Sequence, residues 1–206
     1  MEGNPVSIAI ILRNKKTPNL FRNLLLSAIR IPNLTEIIIC SGFYQEGRNS
    51  SYRASLEGGL AHLLAVSGAK VVTVGIHSYS WRQSFHDFNK ALKTAGVNLD
   101  IRNVRGDKWH SKVLIASTTN GPVFSLIGSS NITRPAFSTT KPFNYETDVA
   151  LWVPQAKGVN AAIQAVLSEN RPSDVIRTTY SPSKNGGLTV KGRLTQLRQD
   201  IFDSTE

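Results

Sequence analysis

The sequence has a single cysteine, few acidic residues and no long apolar run. Cys40 is alone in 206 residues, so no disulfide can form within the chain, and no Cys/His cluster has zinc-ligand spacing. No stretch approaches the roughly 20 apolar residues of a membrane helix. Basic residues follow the N-terminal apolar run 6–12, whereas in a secretory signal they precede it. We therefore expect a cytoplasmic protein without metal or cofactor, in which Cys40 is a buried apolar side chain.

Acidic residues are scarce relative to basic ones. Fourteen Asp and Glu face 24 Lys and Arg, which gives a net charge of +10. Such an excess favours a polyanionic partner, either nucleic acid or an anionic membrane, although charge alone is also found in proteins that bind neither. A membrane anchor is usually one dense basic cluster. Here the basic residues are dispersed, in small groups near positions 13–16, 102–108 and 191–198, which favours an extended polyanion.

The first two-thirds of the chain alternate between two apolar patterns. Four short β-rich runs are predicted to be strands, at 6–12, 36–40, 71–76 and 97–104. Three segments with helical spacing of apolar residues separate them, at 20–31, 55–66 and 81–94. This alternation predicts an α/β fold with a mixed, largely parallel sheet that is flanked by helices on both faces.

The pattern changes after Arg105. Three strand-like runs follow closely, at 109–117, 123–128 and 144–154, and Asn120-Gly121 is a hairpin signal between the first two. A helix is expected at 155–168. Proline and glycine then interrupt the chain, before an amphipathic stretch at 192–202. We expect a catalytic domain at 1–168 and a C-terminal arm or small subdomain at 169–206.

His110 and Lys112 are the first candidate site residues. On a strand, alternate side chains share a face, so the two would lie side by side and Ser111 would point away. A histidine can attack a phosphate diester or shuttle protons, while a fixed lysine neutralises the charge of the phosphate oxygens. An HxK pair recurs often by chance, and alone it could be an ordinary surface pair.

Two further motifs follow at strand ends. Gly128-Ser129-Ser130-Asn131 offers a backbone that a ligand can approach closely, together with hydroxyl and amide groups, although Ser130 or Asn131 could simply cap a helix. Asn144 and Glu146 open the next strand, where alternation puts them on one face with Asp148. A carboxylate there could orient an imidazole, or could belong to a solvated sheet edge.

The order and spacing of these motifs resemble the signature of the phospholipase D superfamily, in its single-HxK, nuclease-like branch. The likeness covers His110-x-Lys112, Gly128-Ser129-x-Asn131 and Asn144-x-Glu146. It implies a phospholipase D-like fold over residues 6–168 and a covalent phosphohistidine mechanism without metal. In that mechanism His110 is the nucleophile, Glu146 orients a histidine, Lys112, Ser129 and Asn131 hold the phosphate, and Gly128 and Asn144 support them.

One residue departs from the family pattern. The family has an Asp five residues after the lysine, and this chain has Ser117 there. The phosphate chemistry does not obviously require that carboxylate, and its absence makes the lipase-type branches less fitting. A catalytically silent relative also stays conceivable.

The chain has only one HxK, whereas the family active site contains two that face each other. The resemblance therefore implies a homodimer with the site on its two-fold axis. Of the other histidines, His77 follows a predicted strand end and could line the same edge. His62 is expected to be structural, and His86 to lie on a helix surface.

These observations predict a hydrolase, an endonuclease acting on DNA. Arg134 and Lys141 flank the phosphate motifs and are candidates to contact the nucleic-acid backbone. Phe43 and Tyr44 follow a strand and could stack on a base or pack in the core. A lipid phosphodiesterase or phosphatidyl transferase and a silent nucleic-acid-binding module stay open as alternatives. Restriction endonucleases occur in this branch, so sequence specificity could reside in a separate domain or subunit.

Overall fold

The computed structural model describes residues 5–14, 18–47, 51–75, 81–104, 110–140, 142–156, 158–169 and 175–206. The strands are β1 Val6–Arg13, β2 Leu34–Ser41, β3 Lys70–Gly75, β4 Leu99–Asn103, β5 Lys112–Thr118, β6 Gly121–Gly128, β7 Glu146–Trp152 and β8 Val175–Thr179. The helices are α1 Leu20–Ile29, α2 Leu60–Ser67, α3 Arg82–Thr94, α4 Arg134–Phe137, α5 Val159–Ser168 and α6 Val190–Asp203. A 3-10 turn, Ala54–Gly59, precedes α2.

Local signals explain where several elements begin and end. Asn19 caps α1, because its side chain accepts a hydrogen bond from the backbone N–H of Arg22 at 3.0 Å. Gly68 ends α2 in a left-handed conformation with φ +66°, as its sequence position predicted. The expected hairpin of β5 and β6 is confirmed, and Gly121 opens β6 with φ +97°.

The strands form one mixed sheet in the order β4-β3-β2-β5-β6-β7-β1-β8. Only β2–β3 and β3–β4 are parallel pairs, and the other five pairs are antiparallel. The expectation of a largely parallel sheet was therefore wrong. It assumed that each strand–helix–strand unit returns to a neighbouring strand, which holds for β2 to β4. β1 instead lies between β7 and β8, which come from the distant C-terminal half.

Helices cover both faces of the sheet, as predicted. Alternation along β2 sends Ile37 and Ile39 into a larger core, to which α1, α2, α3 and α5 contribute. Ile38 and Cys40 point into a second core against Ile201 of α6. Cys40 is buried, in agreement with its expected role as an apolar side chain.

The C-terminal residues join this sheet. β8 pairs antiparallel with β1, and α6 packs on the second face. Arg198 of α6 makes a two-point ion pair with Glu36 of β2, at 2.6 and 2.9 Å. Beyond α6, Glu206 exchanges backbone hydrogen bonds with Asn103 of β4. None of the helices in the described ranges is both long enough and apolar enough to span a bilayer.

Candidate active site

The candidate residues gather at one end of the sheet, where β5 begins, β6 ends and β7 begins. Lys112 pairs with Gly128, which in turn pairs with Asp148. Two residues nearer the sheet end, Glu146 pairs with Arg13 of β1. Side chains of directly paired residues project from the same face. Lys112 and Asp148 therefore flank Gly128 on the face that carries the larger core.

His110 and Lys112 are in direct contact. The Lys112 ammonium lies 3.0 Å from His110 Nδ1 and 3.4 Å from Nε2, and it donates to the His110 carbonyl at 2.9 Å. The strand begins only at Lys112, so His110 precedes it and does not lie on it as expected. An ammonium can only donate, so the ring nitrogen that receives its hydrogen bond must carry a lone pair. Lys112 is 5% exposed, whereas His110 is open to solvent.

The environment of Lys112 lowers its basicity. Burial lowers the pKa of its ammonium from the ordinary value, and the negative charge of Glu146 acts in the opposite direction. The Glu146 carboxylate therefore acts electrostatically on Lys112. This interaction links the first motif, His110-x-Lys112, to the third, Asn144-x-Glu146.

Gly128 has no room for a side chain. A Cβ there would overlap the Asp148 carboxylate and would lie only 2.5 Å from the Thr147 carbonyl oxygen. The glycine therefore lets β7 and its carboxylate approach the end of β6 closely. This contact gives a structural reason for the first residue of the Gly128–Asn131 turn.

Ser129 and Glu146 are hydrogen-bonded to each other. The Ser129 hydroxyl donates to Glu146 Oε2 and accepts from the backbone N–H of Thr147 at 3.0 Å. Ser129 thus provides a side-chain hydrogen bond to Glu146. The role of Glu146 in orienting a histidine, which the resemblance implies, stays a prediction. A phosphate bound by the Ser129 hydroxyl would compete with the Glu146 carboxylate.

Asn131 is fixed from the other side of the site. Its Oδ1 accepts a hydrogen bond from the backbone N–H of Phe43 at 3.1 Å, and the Ser41 hydroxyl lies at 3.2 Å. With the carbonyl oxygen of the amide occupied in this way, its NH₂ group is the part that can donate to a ligand. Ser41 belongs to the strand-end segment 41–44, in which the sequence indicated only the aromatic residues as possible ligand contacts.

Asp148 is a site residue that the motifs did not include. It is 2% exposed, and it accepts hydrogen bonds from the Ser130 hydroxyl at 2.7 Å and the Ser130 backbone N–H at 3.3 Å. Burial raises its pKa to about 6; Ser130 lowers it, Glu146 raises it and Arg13 lowers it. The available signal was its position on the same strand face as Glu146.

Arg13 was also missed, because it was grouped with nearby basic residues. Its guanidinium is buried and donates to the carbonyl oxygens of Pro135 at 2.9 Å and Ala136 at 2.6 Å. Burial lowers its pKa, while Glu146 and Asp148 raise it. Arg13 therefore fastens α4, which follows the Gly128–Asn131 turn, to the end of β1.

The other candidates lie around or outside this centre. Asn144 is exposed, and its backbone N–H donates to Pro135 at 3.2 Å. Arg134 begins α4, and its backbone N–H donates to Gln45 Oε1 at 2.8 Å. Two candidates fall outside the described residues, Lys141 and His77.

Four other side chains considered from the sequence lie on helix surfaces or pack against other residues. His62 and His86 are exposed on α2 and α3. Tyr44 is 1% exposed in the core, and the half-buried ring of Phe43 packs 4.8 Å from Trp81. Within the part of the chain that the structure describes, no three His, Cys, Asp or Glu side chains cluster as a metal site would require.

Ser117 lies far from the candidate centre. It pairs with Glu36 and Pro122 near the opposite end of β5. Five strand residues correspond to roughly 16 Å, so the family's Asp position is remote from Lys112. The departure at Ser117 therefore leaves the geometry around His110 untouched.

Comparisons with known proteins identify the fold. No family model and no curated protein matches the sequence. Among solved structures, polyphosphate kinase from Porphyromonas gingivalis is 17% identical, with a TM-score of 0.50 over 79% of this chain and 25% of that chain. Phosphatidylserine synthase from Haemophilus influenzae Rd KW20 is 12% identical, with a TM-score of 0.50 over 98% of this chain and 47% of that chain.

A third similar structure is NucT from Helicobacter pylori, which is 15% identical with a TM-score of 0.47, over 84% of this chain and 100% of that chain. The chain spans only a quarter to a half of the kinase and synthase chains. The fold assignment rests on those two structures. The chain has the phospholipase D-like fold that its motifs implied.

Proposed function

We propose that the chain is a metal-independent phosphodiesterase that cleaves nucleic acid, most simply an endonuclease acting on DNA. The contact between His110 and Lys112, with the ammonium 3.0 Å from Nδ1, carries this proposal. It joins an exposed nucleophile to a buried cation. The Gly128–Asn131 turn begins beside Lys112, and the Asn131 NH₂ group can donate to a phosphate oxygen.

The reaction takes two steps. A ring nitrogen of His110 attacks the phosphorus, and the bond to the leaving oxygen breaks as the P–N bond forms. A general acid on the far side protonates that oxygen. Water then attacks the phosphohistidine, the P–N bond breaks and the proton returns to the acid. Lys112 and Asn131 stabilise the charge on the phosphate oxygens in both steps.

The general acid is the His110 of a second copy. In-line displacement requires acid and nucleophile on opposite sides of phosphorus. His62 and His86 lie on helices, outside the described centre. A homodimer whose two-fold axis passes between two copies of His110 would supply both roles.

The positive net charge of the chain favours nucleic acid as the substrate. The chain carries a net charge of +10, and a polyanionic backbone gains from such an excess along its length. A lipid substrate, by contrast, offers one phosphate at an apolar surface.

Cleavage of plasmid and single-stranded DNA in excess EDTA tests the proposal, with His110→Ala as the inactive control. We expect cleavage by the wild-type chain and none by the variant. Enzyme denatured in detergent at alkaline pH, where the P–N bond of phosphohistidine is stable, should retain a labelled phosphoryl group on His110. Sedimentation should show a dimer, and mixing His110→Ala with Lys112→Met subunits should not restore a site that needs both histidines and both lysines.

Several results would contradict the proposal. Activity that requires Mg²⁺ would exclude the mechanism, and an active monomer would exclude the shared site. Binding of DNA without cleavage would favour a silent binding module. Turnover of phosphatidylglycerol vesicles without turnover of DNA would favour a lipid enzyme.

A further inference from the structure

Tyr145 exposes a large aromatic ring to solvent. It is 71% exposed, and no other Phe, Tyr or Trp side chain among the described residues is as exposed. Exposing so much of an aromatic side chain forgoes the burial that usually makes such residues stabilising. The residue directly precedes Glu146, at the start of β7.

The ring is held in place from behind. Phe143 packs edge-on against Tyr145, with ring centroids 5.2 Å apart and planes at 63°. The guanidinium carbon of Arg13 lies 5.7 Å from the Phe143 centroid, and Arg13 is itself fixed by the carbonyls of α4. Arg13 thus contacts Phe143, and Phe143 contacts the exposed ring of Tyr145, so packing supports that ring on one side.

The surroundings of the ring are mainly polar. Asn144, Thr147 and Ser129 are exposed close by in sequence or through hydrogen bonds, and the Thr147 N–H donates to the Ser129 hydroxyl at 3.0 Å. Leu12, which pairs with Thr147, is the nearby apolar exception at 45% exposure. A fixed aromatic ring among polar groups suits a flat, partly polar ligand better than an apolar protein surface.

We propose that Tyr145 is a stacking platform for an unpaired nucleobase next to the scissile phosphate. The substrate class is then single-stranded or locally unpaired nucleic acid, because a base inside a duplex has both faces covered by its neighbours. This inference rests on the proposed function, since it places the base relative to a phosphate bound at His110.

Two readouts test it in the full chain. The first is binding, in the His110→Ala background, of a single-stranded oligonucleotide with one 2-aminopurine, whose fluorescence falls on stacking. We expect quenching to survive in Tyr145→Phe and to be lost in Tyr145→Ala, with affinity about tenfold weaker. Val66→Ala removes a side chain of similar exposure, 70%, on α2, and should behave as the parent.

The second readout is cleavage of single-stranded DNA, intact or with one abasic position moved along the strand. Tyr145→Ala should lower kcat/KM on intact DNA about tenfold, while an abasic position next to the cut should cost wild type the same and the variant nothing more. Equal quenching and cleavage by wild type and Tyr145→Ala would overturn the stacking role.

A third result separates the base from a second copy of the chain. If Tyr145→Ala turns a dimer into a monomer, the ring is an interface residue and the inference is wrong. Absence of cleavage by wild type would refute the proposed function only, because the fluorescence readout decides the stacking role without turnover.

Discussion

Ser130 and Asp148 are bonded through both the hydroxyl and the backbone N–H of the serine, at 2.7 and 3.3 Å. The Ser130 hydroxyl and backbone therefore face away from the ligand side of the turn, toward a carboxylate buried beneath it. Of the two neighbouring side chains, Asn131 has an NH₂ group that can donate to substrate, whereas the Ser129 hydroxyl is bonded to Glu146. The bond thus sets which residues of the Gly128–Asn131 turn can serve chemistry.

Asp148 should make stability depend on pH in an unusual direction. Its pKa is raised to about 6 in the folded chain from an ordinary 3.8. Between those two values the folded chain binds more protons than the unfolded chain, so acidification favours folding. We expect this group to raise the free energy of unfolding by about 1 kcal/mol from pH 7 to pH 5.

Urea unfolding of wild type and Asp148→Asn across that range measures the effect. The variant has no titrating carboxyl, so its stability should gain less on acidification. Parallel pH profiles for the two proteins would show that Asp148 is not the responsible group. Ser130→Ala, which removes the hydroxyl donor, should raise the pKa of Asp148 further.

Gly128→Ala should be destabilising by about 1–3 kcal/mol, because the added methyl group overlaps the Asp148 carboxylate and meets the Thr147 carbonyl oxygen. Gly192→Ala is its matched control. A Cβ at Gly192 in α6 meets nothing nearer than 3.5 Å, and alanine favours helix by about 1 kcal/mol. Urea unfolding should therefore shift in opposite directions, and a shift of the same sign would contradict the close approach of β7.

Asn131→Asp should separate activity from stability. The new carboxylate can still accept the hydrogen bond from Phe43 N–H, but it loses the NH₂ donor and places a negative charge near phosphate. We expect kcat/KM for DNA cleavage to fall about 100-fold or more, with little change in thermal unfolding. Retained activity would show that Asn131 does not bind phosphate.

Ser41→Ala tests whether Ser41 positions the Asn131 side chain, because the Ser41 hydroxyl lies 3.2 Å from Asn131 Oδ1. This variant should lower kcat more than it raises KM.

Ile201→Ala should destabilise the whole chain. Ile201 is fully buried in α6 and packs with Ile38 and Ile115, so its truncation should cost about 2–5 kcal/mol. In a Trp81→Phe, Trp109→Phe background, the fluorescence of Trp152, which is fully buried in the larger core, reports on the opposite face of the sheet. If α6 unfolds with the sheet, the Trp152 transition shifts with the circular-dichroism transition. A separate early transition would mean that α6 behaves as an independent arm.

The sequence predicted the parts of the site that depend on local spacing. The HxK pair, the turn after an apolar strand and the polar face of β7 all lie at one sheet end, because each motif stands where one of three neighbouring antiparallel strands begins or ends. The sequence did not reveal Arg13, because its partners in α4 lie 123 positions away. It also misjudged the sheet, since nothing in the local pattern of β1 shows that it pairs with β7 and β8 and not with β2.

The contact of Ser129 with Glu146 was equally hidden. Spacing gives the strand face of Glu146, but it does not say which neighbour reaches the carboxylate first. Because His110 precedes β5, the alternation rule used to orient it did not apply. The side-chain contact with Lys112 nevertheless forms, since the lysine bends back to the His110 carbonyl.

The position of β1 between β7 and β8 has a consequence for how the chain acquires its fold. On the ribosome, the first strand emerges long before β7 and β8, the two strands that enclose it. Until they appear, an apolar strand with two open edges must stay unpaired, and long-range strand pairing of this kind is slow. The Arg13–α4 bonds therefore form late in synthesis, and a truncated nascent chain should carry His110 and Lys112 without a finished site around them.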